Sequence, residues 1–488
     1  MRCEEGGAHP ALAMARISLA LFMAGFATFS LIYSAQPLLP EFTVEFGVDP
    51  ATSSLALSLT TGCLAVSILC VGALSETWGR RGLMFASICG AALLNLVSSV
   101  APTWEVLLVV RSLEGLVLGG VPAVAMAYLS EEIPPDRLGR AMGLYVGGTA
   151  FGGMIGRVAI GALTHLSSWR TALATMALVD LLVAVSFLLL LPQSRNFVRR
   201  SALNLRLHLD AWGGHLRQRE LPFLFAIAFF VMGAFVTIYN YAGFRLLAPP
   251  YRLNQTQIGL IFLSYVFGMF ASSAAGALAD RLGRTSVVVA GSLVTMSGLA
   301  LTLLHSLTSV VAGIVVITVG FFMVHSVASG WVGRLASRNK SHAASLYLLS
   351  YYLGSSILGS LGGWFWREGG WAAVVAFCST LMMIVLGIAA KLRRGSDLSE
   401  SWGRFQSSVA RFRDPPVAAA TTRDDVFAAR RVSVVKALGR PASEAEIAEY
   451  LDPWTGPRGR SILADARGRG AKPLYSGAAA GPWSNPGR

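Results

Sequence analysis

A chain of 488 residues that is 54% hydrophobic, 14% charged and +0.58 in mean hydropathy lies outside the range of soluble globular domains. Lys and Arg outnumber Asp and Glu by 40 to 26, for a net charge of +14, but the excess gathers in short loops between apolar runs; it reads as a membrane-topology signal, and nucleic-acid binding is not needed to explain it. Cys63, Cys70, Cys89 and Cys378 sit inside apolar runs and Cys3 lies near the N-terminus, so no disulfide framework or metal-ligand spacing is implied, and no nucleotide loop or nucleophile constellation points to an enzyme, a cofactor or direct ATP drive.

Twelve runs of about 20 apolar residues, each long enough to cross a bilayer as a helix, follow one another at 17–39, 52–74, 82–101, 105–129, 140–163, 170–191, 222–246, 256–279, 286–305, 308–333, 342–364 and 370–390. The first carries Tyr33 and Gln36; bracketed by Arg16 and Pro40, it is too long and too polar at its end for a cleaved signal peptide and is expected to be retained. Between the second and third stands Gly72-Ala-Leu-Ser-Glu76-Thr-Trp-Gly79-Arg80-Arg81, small residues for a tight turn with an acid beside two arginines. The fourth holds Arg111 and Glu114 and closes on Glu131 and Glu132. In the fifth, Gly148, Gly152, Gly153 and Gly156 precede Arg157; glycines three and four apart let a neighbouring helix approach closely and make the segment bendable. Asp180 lies near the middle of the sixth.

The linker 192–221 carries Arg195, Arg199, Arg200, Arg206, Arg217 and Arg219 and is expected inside, which with alternating spans puts both termini in the cytoplasm. The seventh run holds Tyr239 and Asn240 and the eighth Tyr265, after which Gly276-Ala-Leu-Ala-Asp280-Arg281-Leu-Gly283-Arg284 writes the hairpin a second time, 204 positions on. His325 falls in the tenth run, Tyr347 and Tyr351 in the eleventh. The stretch 392–488, rich in Arg, Gly, Ala and Pro with one short helix candidate at 443–451, is expected to be a disordered cytoplasmic tail.

A repeat near 200 residues with six runs to a half predicts two parallel bundles with a cavity between them at mid-membrane. The paired hairpins resemble the G-x-L-x-D-R-x-G-R-[RK] loop between helices two and three of the major facilitator superfamily, with Glu76 where Asp is usual; the resemblance covers 14–392. Arg111-Ser-Leu-Glu114-Gly115 resembles that family's helix-four motif R-x-x-Q-G, whose arginine is associated with proton coupling, with Glu114 in place of Gln. The fifth run resembles the exporter motif G-x-x-x-G-P-x-x-G-G without its proline. The stretch ending in Arg157, followed by Ser-Ser-Trp-Arg at 167–170, resembles the drug/proton antiporter-like branch of arabinose-efflux or multidrug-like permeases of the bacterial inner membrane.

The resemblance implies an all-α major facilitator fold: a cytoplasmic N-terminus 1–16, a six-helix bundle 17–191, the linker 192–221, a second bundle 222–391 and the tail 392–488. It further implies a monomeric secondary transporter in the lipid bilayer that exports a small organic solute by alternating access, coupled to protons. An importer or facilitator on the same scaffold fits the missing proline. A non-transporting receptor needs a soluble output domain, which the tail does not offer.

Ionisable groups within a membrane are costly, which singles out Arg111, Glu114, Arg157 and Asp180 for proton coupling. Glu114 meets Arg111 at i, i+3; pairing keeps a carboxylate charged and burial favours its neutral form, so one balanced between the two can load and release a proton. The plainer reading is a neutralised pair that packs helices. Arg157 is placed to approach Arg111, and Asp180 is either the partner of Arg157 or faces water elsewhere.

Tyr33, Gln36, Tyr239, Asn240, Tyr265, His325, Tyr347 and Tyr351 are cavity candidates, suited to an amphipathic organic solute; equally, tyrosines near span ends are interfacial anchors and a lone histidine packs. Gly72, Glu76, Gly79, Arg80, Arg81, Glu131, Glu132, Gly276, Asp280, Arg281, Gly283 and Arg284 are expected to form a cytoplasmic gate. In it, acids after the fourth run meet Arg80 or Arg81, and Glu76 and Asp280 sit against a helix N-terminus of the opposite half. The positive-inside rule accounts for the arginines but not for an acid at the same place twice.

Overall fold

In a computed structural model the described residues are 8–194, 205–336 and 339–413, with side chains over 14–71, 75, 79–134, 137–194, 206, 208–336 and 339–394. Every regular element among them is helical. Eleven helices are long and apolar enough to cross a membrane, and the last of these, Lys340–Arg394, is two in one: Gly369 (φ −147°, ψ 17°) and Gly370 (φ 60°, ψ −149°) leave helical geometry. Only glycine takes the second conformation readily. The spans are therefore α1 (Met14–Phe46), α2 (Leu55–Trp78), α3 (Arg80–Ser98), α4 (Trp104–Glu132), α5 (Arg137–Leu166), α6 (Trp169–Leu190), α7 (Leu221–Leu247), α8 (Gln255–Leu282), α9 (Arg284–Thr302), α10 (Leu307–Leu335), α11 (340–368) and α12 (371–394).

Each apolar run becomes one span, while the ends move. α1 passes its expected end at 39 and runs to Phe46, changing to a 3-10 turn at Gln36–Leu38 because Pro37 has no N–H to give to the helix behind it. The two hairpins take the same backbone: Gly79 has φ 91°, ψ 145° and Gly283 has φ 86°, ψ 146°, a region that side chains rarely enter. One repeated sequence thus makes one repeated turn.

Small residues set the close approaches, as expected where helices pack without a hydrophobic drive. Gly148, Gly152 and Gly156 of α5 lie against Phe22, Phe26 and Ser30 of α1, four residues apart on both helices, so any side chain there meets the α1 backbone. The halves meet at the end away from the hairpins. Gly161 of α5 faces Gly259 of α8, Ser356 and Ser360 of α11 donate to Ser58 of α2 at 2.6 and 2.7 Å, and Gln255 of α8 donates to Glu41 of α1 at 2.8 Å. These contacts close that end.

The linker holds a helix, Leu205–Leu216, whose His208 and Trp212 bond to His342 (2.8 Å) and Ser345 (3.3 Å) at the start of α11. The chain divides into a compact unit, Met1–Arg394, and a second, Gly395–Arg488. The backbone is helical to Arg413, and no proline interrupts the sequence before Pro415. Residues 414–488, with the helix candidate at 443–451, lie outside the described residues.

Candidate functional site

Arg111 is fully buried on α4 and spends its donors on three other helices. Its Nε donates to the Ala56 carbonyl (3.2 Å), Nη1 to Glu114 Oε2 (2.6 Å), Ser34 Oγ (3.1 Å) and Asn95 Oδ1 of α3 (3.4 Å), and Nη2 to the Ile32 carbonyl (3.1 Å). Glu114 is fully buried too, and its Oε1 has no partner. The spacing of three residues thus makes an ion pair that uses half of the carboxylate. Asn95, which sequence reasoning passed over, holds this node to α6 by accepting from Ser34 (3.2 Å) and donating to the Leu173 carbonyl (3.2 Å). An amide in the middle of an apolar run was the available signal.

No ion pair joins Asp180 to Arg157, and the hydrogen bonds of Arg157 and Arg111 go to different groups. Ser30 Oγ donates to both Asp180 oxygens at 3.0 Å, and behind Ser30 stands Gly156, so α1 fills the space between α5 and α6. Arg157 is one residue on from Gly156, about 100° around the helix, and points instead to the junction of the halves.

At that junction Arg157 Nε donates to Gln36 Oε1 (2.7 Å), and its Nη1 donates to the Gly153 carbonyl. Gln36 Nε2 then donates to Asn240 Oδ1 (2.8 Å), while Asn240 Nδ2 is buried without an acceptor. The Arg157 guanidinium carbon lies 4.0 Å from the Tyr33 ring centre, 4.9 Å from Phe262 and 5.1 Å from Tyr265. Each such contact contributes about 0.5–2 kcal/mol, against several kcal/mol for desolvating one ion. Among the described residues no carboxylate pairs with Arg157.

The aromatic wall continues from there. Tyr239 bonds to Ser264 (2.5 Å) and Thr318 (2.7 Å), Phe235 stacks on Phe321 at 3.8 Å, and His325 bonds to Tyr347 (3.0 Å) with Tyr351 at 4.9 Å. Tyr33, Gln36, Tyr239, Asn240, Tyr265, His325, Tyr347 and Tyr351 therefore all lie in one cluster or its hydrogen-bonded rim. Phe235, Phe262 and Phe321 complete it, and inside apolar runs they carried no signal of their own.

At the hairpin end, Arg80 grips Glu131 through Nε (3.1 Å) and Nη2 (2.5 Å) and donates to Ser75 at 2.6 Å. Arg81 donates to the Leu188 carbonyl, and Glu132 accepts from Ser194 at 2.6 Å. In the second half Asp280 accepts from Arg334 at the end of α10 at 3.2 Å, a partner within its own half. Gly276, Arg281 and Gly283 are exposed and Arg284 half-buried. Gly72 and Glu76 lie outside the residues whose side chains are described. No group of three His, Cys, Asp or Glu among the described residues is arranged to hold a metal ion.

The chain matches the family described as Major Facilitator Superfamily over residues 17–253 and 235–442, past the expected limit at 392. It is 44% identical over 379 residues to "Inner membrane transport protein YnfM" of Escherichia coli (strain K12), covering 78% of this chain and 91% of that one. It is 28% identical over 273 residues to "Chloramphenicol resistance protein" of Streptomyces lividans, covering 55% and 67%. Among solved structures, a bacterial homolog of the human lysosomal transporter Spinster, inward-facing and occupied, superposes with a TM-score of 0.65 at 14% identity, covering 79% of this chain and 97% of that one.

Proposed function

The chain belongs to the major facilitator superfamily and is an integral membrane transporter; from that premise we propose that it exports a small organic solute across a bacterial inner membrane in exchange for protons. The observation that carries the coupling is the pair of fully buried carboxylates, Glu114 and Asp180, in a half that the solute cluster adjoins. Glu114 has one oxygen on Arg111 and one unpartnered, an arrangement that can take up a proton without dismantling the ion pair. Alternating access then has a physical basis in the two ends of the molecule. Contacts between halves close one end, while at the hairpin end the pairs Arg80–Glu131 and Asp280–Arg334 each lie within one half.

Export rather than import is supported by the glycine-rich α5 and by the name of the Streptomyces lividans relative. The inner membrane is supported by the name of the Escherichia coli relative, and cytoplasmic termini by the arginine-rich linker. The test is solute-dependent proton flux in proteoliposomes, with the gradient imposed in each direction over a panel of sugars, amphipathic drugs and organic acids. Proton release driven by counter-moving solute supports exchange. Solute moving with the proton makes the protein an importer, and flux indifferent to the gradient makes it a facilitator.

A further inference from the structure

Two arginines are buried in the first half, and they differ in one respect. Arg111 has Glu114 against it; the partners of Arg157 are all neutral, the Gln36 amide, a carbonyl, the Tyr265 hydroxyl and aromatic faces. Both are at most 2% exposed, so hydration does not neutralise the second as it would a surface cation. Its place matters as much as its charge. Arg157 sits where α1, α5, α7 and α8 converge, and the donor chain from Arg157 to Gln36 to Asn240 ends on an amide N–H that has no acceptor. Every group in that chain donates onward, and among the described residues no carboxylate pairs with the cation at its head. Tyr351 and His325 are half-buried, so the cluster is not sealed.

We propose that Arg157 binds the anionic group of the transported solute, oriented by Gln36 and Asn240, and that the Tyr33, Phe262 and Tyr265 rings hold a planar body, making the solute an aryl carboxylate. A carboxylate fits the guanidinium fork in two parallel hydrogen bonds, and a flat ring stacks on aromatic walls where a branched or strongly hydrated body does not. Arg111 is excluded as the anion site because Glu114 already occupies it. Because Gln36 and Asn240 belong to opposite halves, a bound anion that pulls on Arg157 also bears on the contact that joins them. The assignment rests on the transporter reading above and narrows its solute to one charge class.

The experiment uses the full-length protein in detergent and a set of matched probes: benzoate, 4-hydroxybenzoate, neutral benzamide, cationic benzyltrimethylammonium, aliphatic octanoate and chloride. Melting temperature is followed as each is titrated. Benzoate and 4-hydroxybenzoate are expected to stabilise the wild type, with the neutral and cationic probes, octanoate and chloride at least tenfold weaker in apparent affinity. Arg157→Gln is expected to lose the benzoate response at least tenfold, and Arg157→Lys to keep part of it. Should Arg157→Gln fail to fold, Asn240→Asp places a resident carboxylate in the cluster and is expected to weaken benzoate binding while leaving benzamide unchanged. Equal stabilisation by benzamide or by the cation, a response to chloride or octanoate that matches benzoate, no response to any probe, or an unchanged benzoate response in Arg157→Gln overturns the proposal. Flux of the same probes in proteoliposomes separates it from the transport reading. A carried cation with no carried benzoate leaves transport standing and removes the anion site, whereas benzoate bound through Arg157 with no probe carried leaves the site and removes transport.

Discussion

Gln36 donates to Asn240 at 2.8 Å across the junction of the two halves, and the two residues are 204 positions apart, the same offset that separates the two copies of the hairpin. Two residues at the repeat offset therefore touch at the junction of the halves. An amide pair suits such a position because each amide carries both a donor and an acceptor, so either half can present the complementary group.

That contact should hold the closed end. Asn240→Leu keeps the volume but leaves Gln36 Nε2 buried without an acceptor, at a cost of about 1–3 kcal/mol borne by the closed state alone. The population open at that end should rise roughly tenfold or more. Spin labels at Val44 and Arg252, exposed on either side of the junction, would register it as a longer distance component in pulsed dipolar spectra. An unchanged distance distribution would show that the other contacts between the halves suffice.

The glycines of α5 make a second, sharper expectation. A Cβ at Gly152 runs into the Phe26 backbone, which cannot move without displacing α1, so Gly152→Val should cost about 3 kcal/mol or more and lower the yield of folded protein. Gly143 faces open space, and Gly143→Ala should be nearly neutral or slightly stabilising. Thermal melts of the two variants side by side check this, and equal losses would mean that helix propensity rather than contact sets the effect.

Coupling separates Glu114 from Arg111. Glu114→Gln keeps the shape and a hydrogen bond for Arg111 but cannot release a proton, so solute binding should persist while uphill transport and its pH dependence disappear. Arg111→Ala removes six hydrogen bonds, five of them to three other helices, and strands a carboxylate, with an expected loss of about 3–5 kcal/mol in stability. Wild-type transport by Glu114→Gln would reduce the pair to packing, and wild-type transport by Arg111→Ala would remove both roles.

Much of this was legible in the sequence, for physical reasons that also mark its limits. Twelve apolar runs give twelve spans because the bilayer demands continuous helices of fixed length, and the repeated acid-x-x-Gly-Arg turn folds alike twice because its φ near 90° admits little else. The direction in which Arg157 points was not legible. It depends on Gly156 letting Ser30 come between α5 and Asp180, a three-helix arrangement that no spacing within one helix encodes. The same holds for Phe235, Phe262 and Phe321, since a phenylalanine in an apolar run looks alike whether it faces lipid, core or solute. Gln36 and Asn240 were the exception, an amide in each half at the repeat offset.

The hairpin ends carry the last prediction, because their charges are exchanged between halves. Arg80 of the first hairpin pairs with Glu131 at the end of α4; at the equivalent place, Arg334 at the end of α10 pairs with Asp280 of the second hairpin. The first pair is bidentate and mostly buried, with side chains 10% and 27% exposed, and the second is 59% and 60% exposed and worth about 0–1 kcal/mol. Asp280→Asn should therefore leave the melting temperature within a degree or two, yet slow the conformational cycle if that pair must break and re-form in each turnover. Glu131→Gln should lower both stability and transport. The decisive variant is the exchange Asp280→Arg with Arg334→Asp, which restores attraction with the signs reversed. Recovery of transport relative to either single change would show that the pair acts as a latch indifferent to polarity. Failure of the double variant alongside normal folding would instead mean that the carboxylate at position 280 has a partner in another state of the cycle, which reversal of the pair cannot supply.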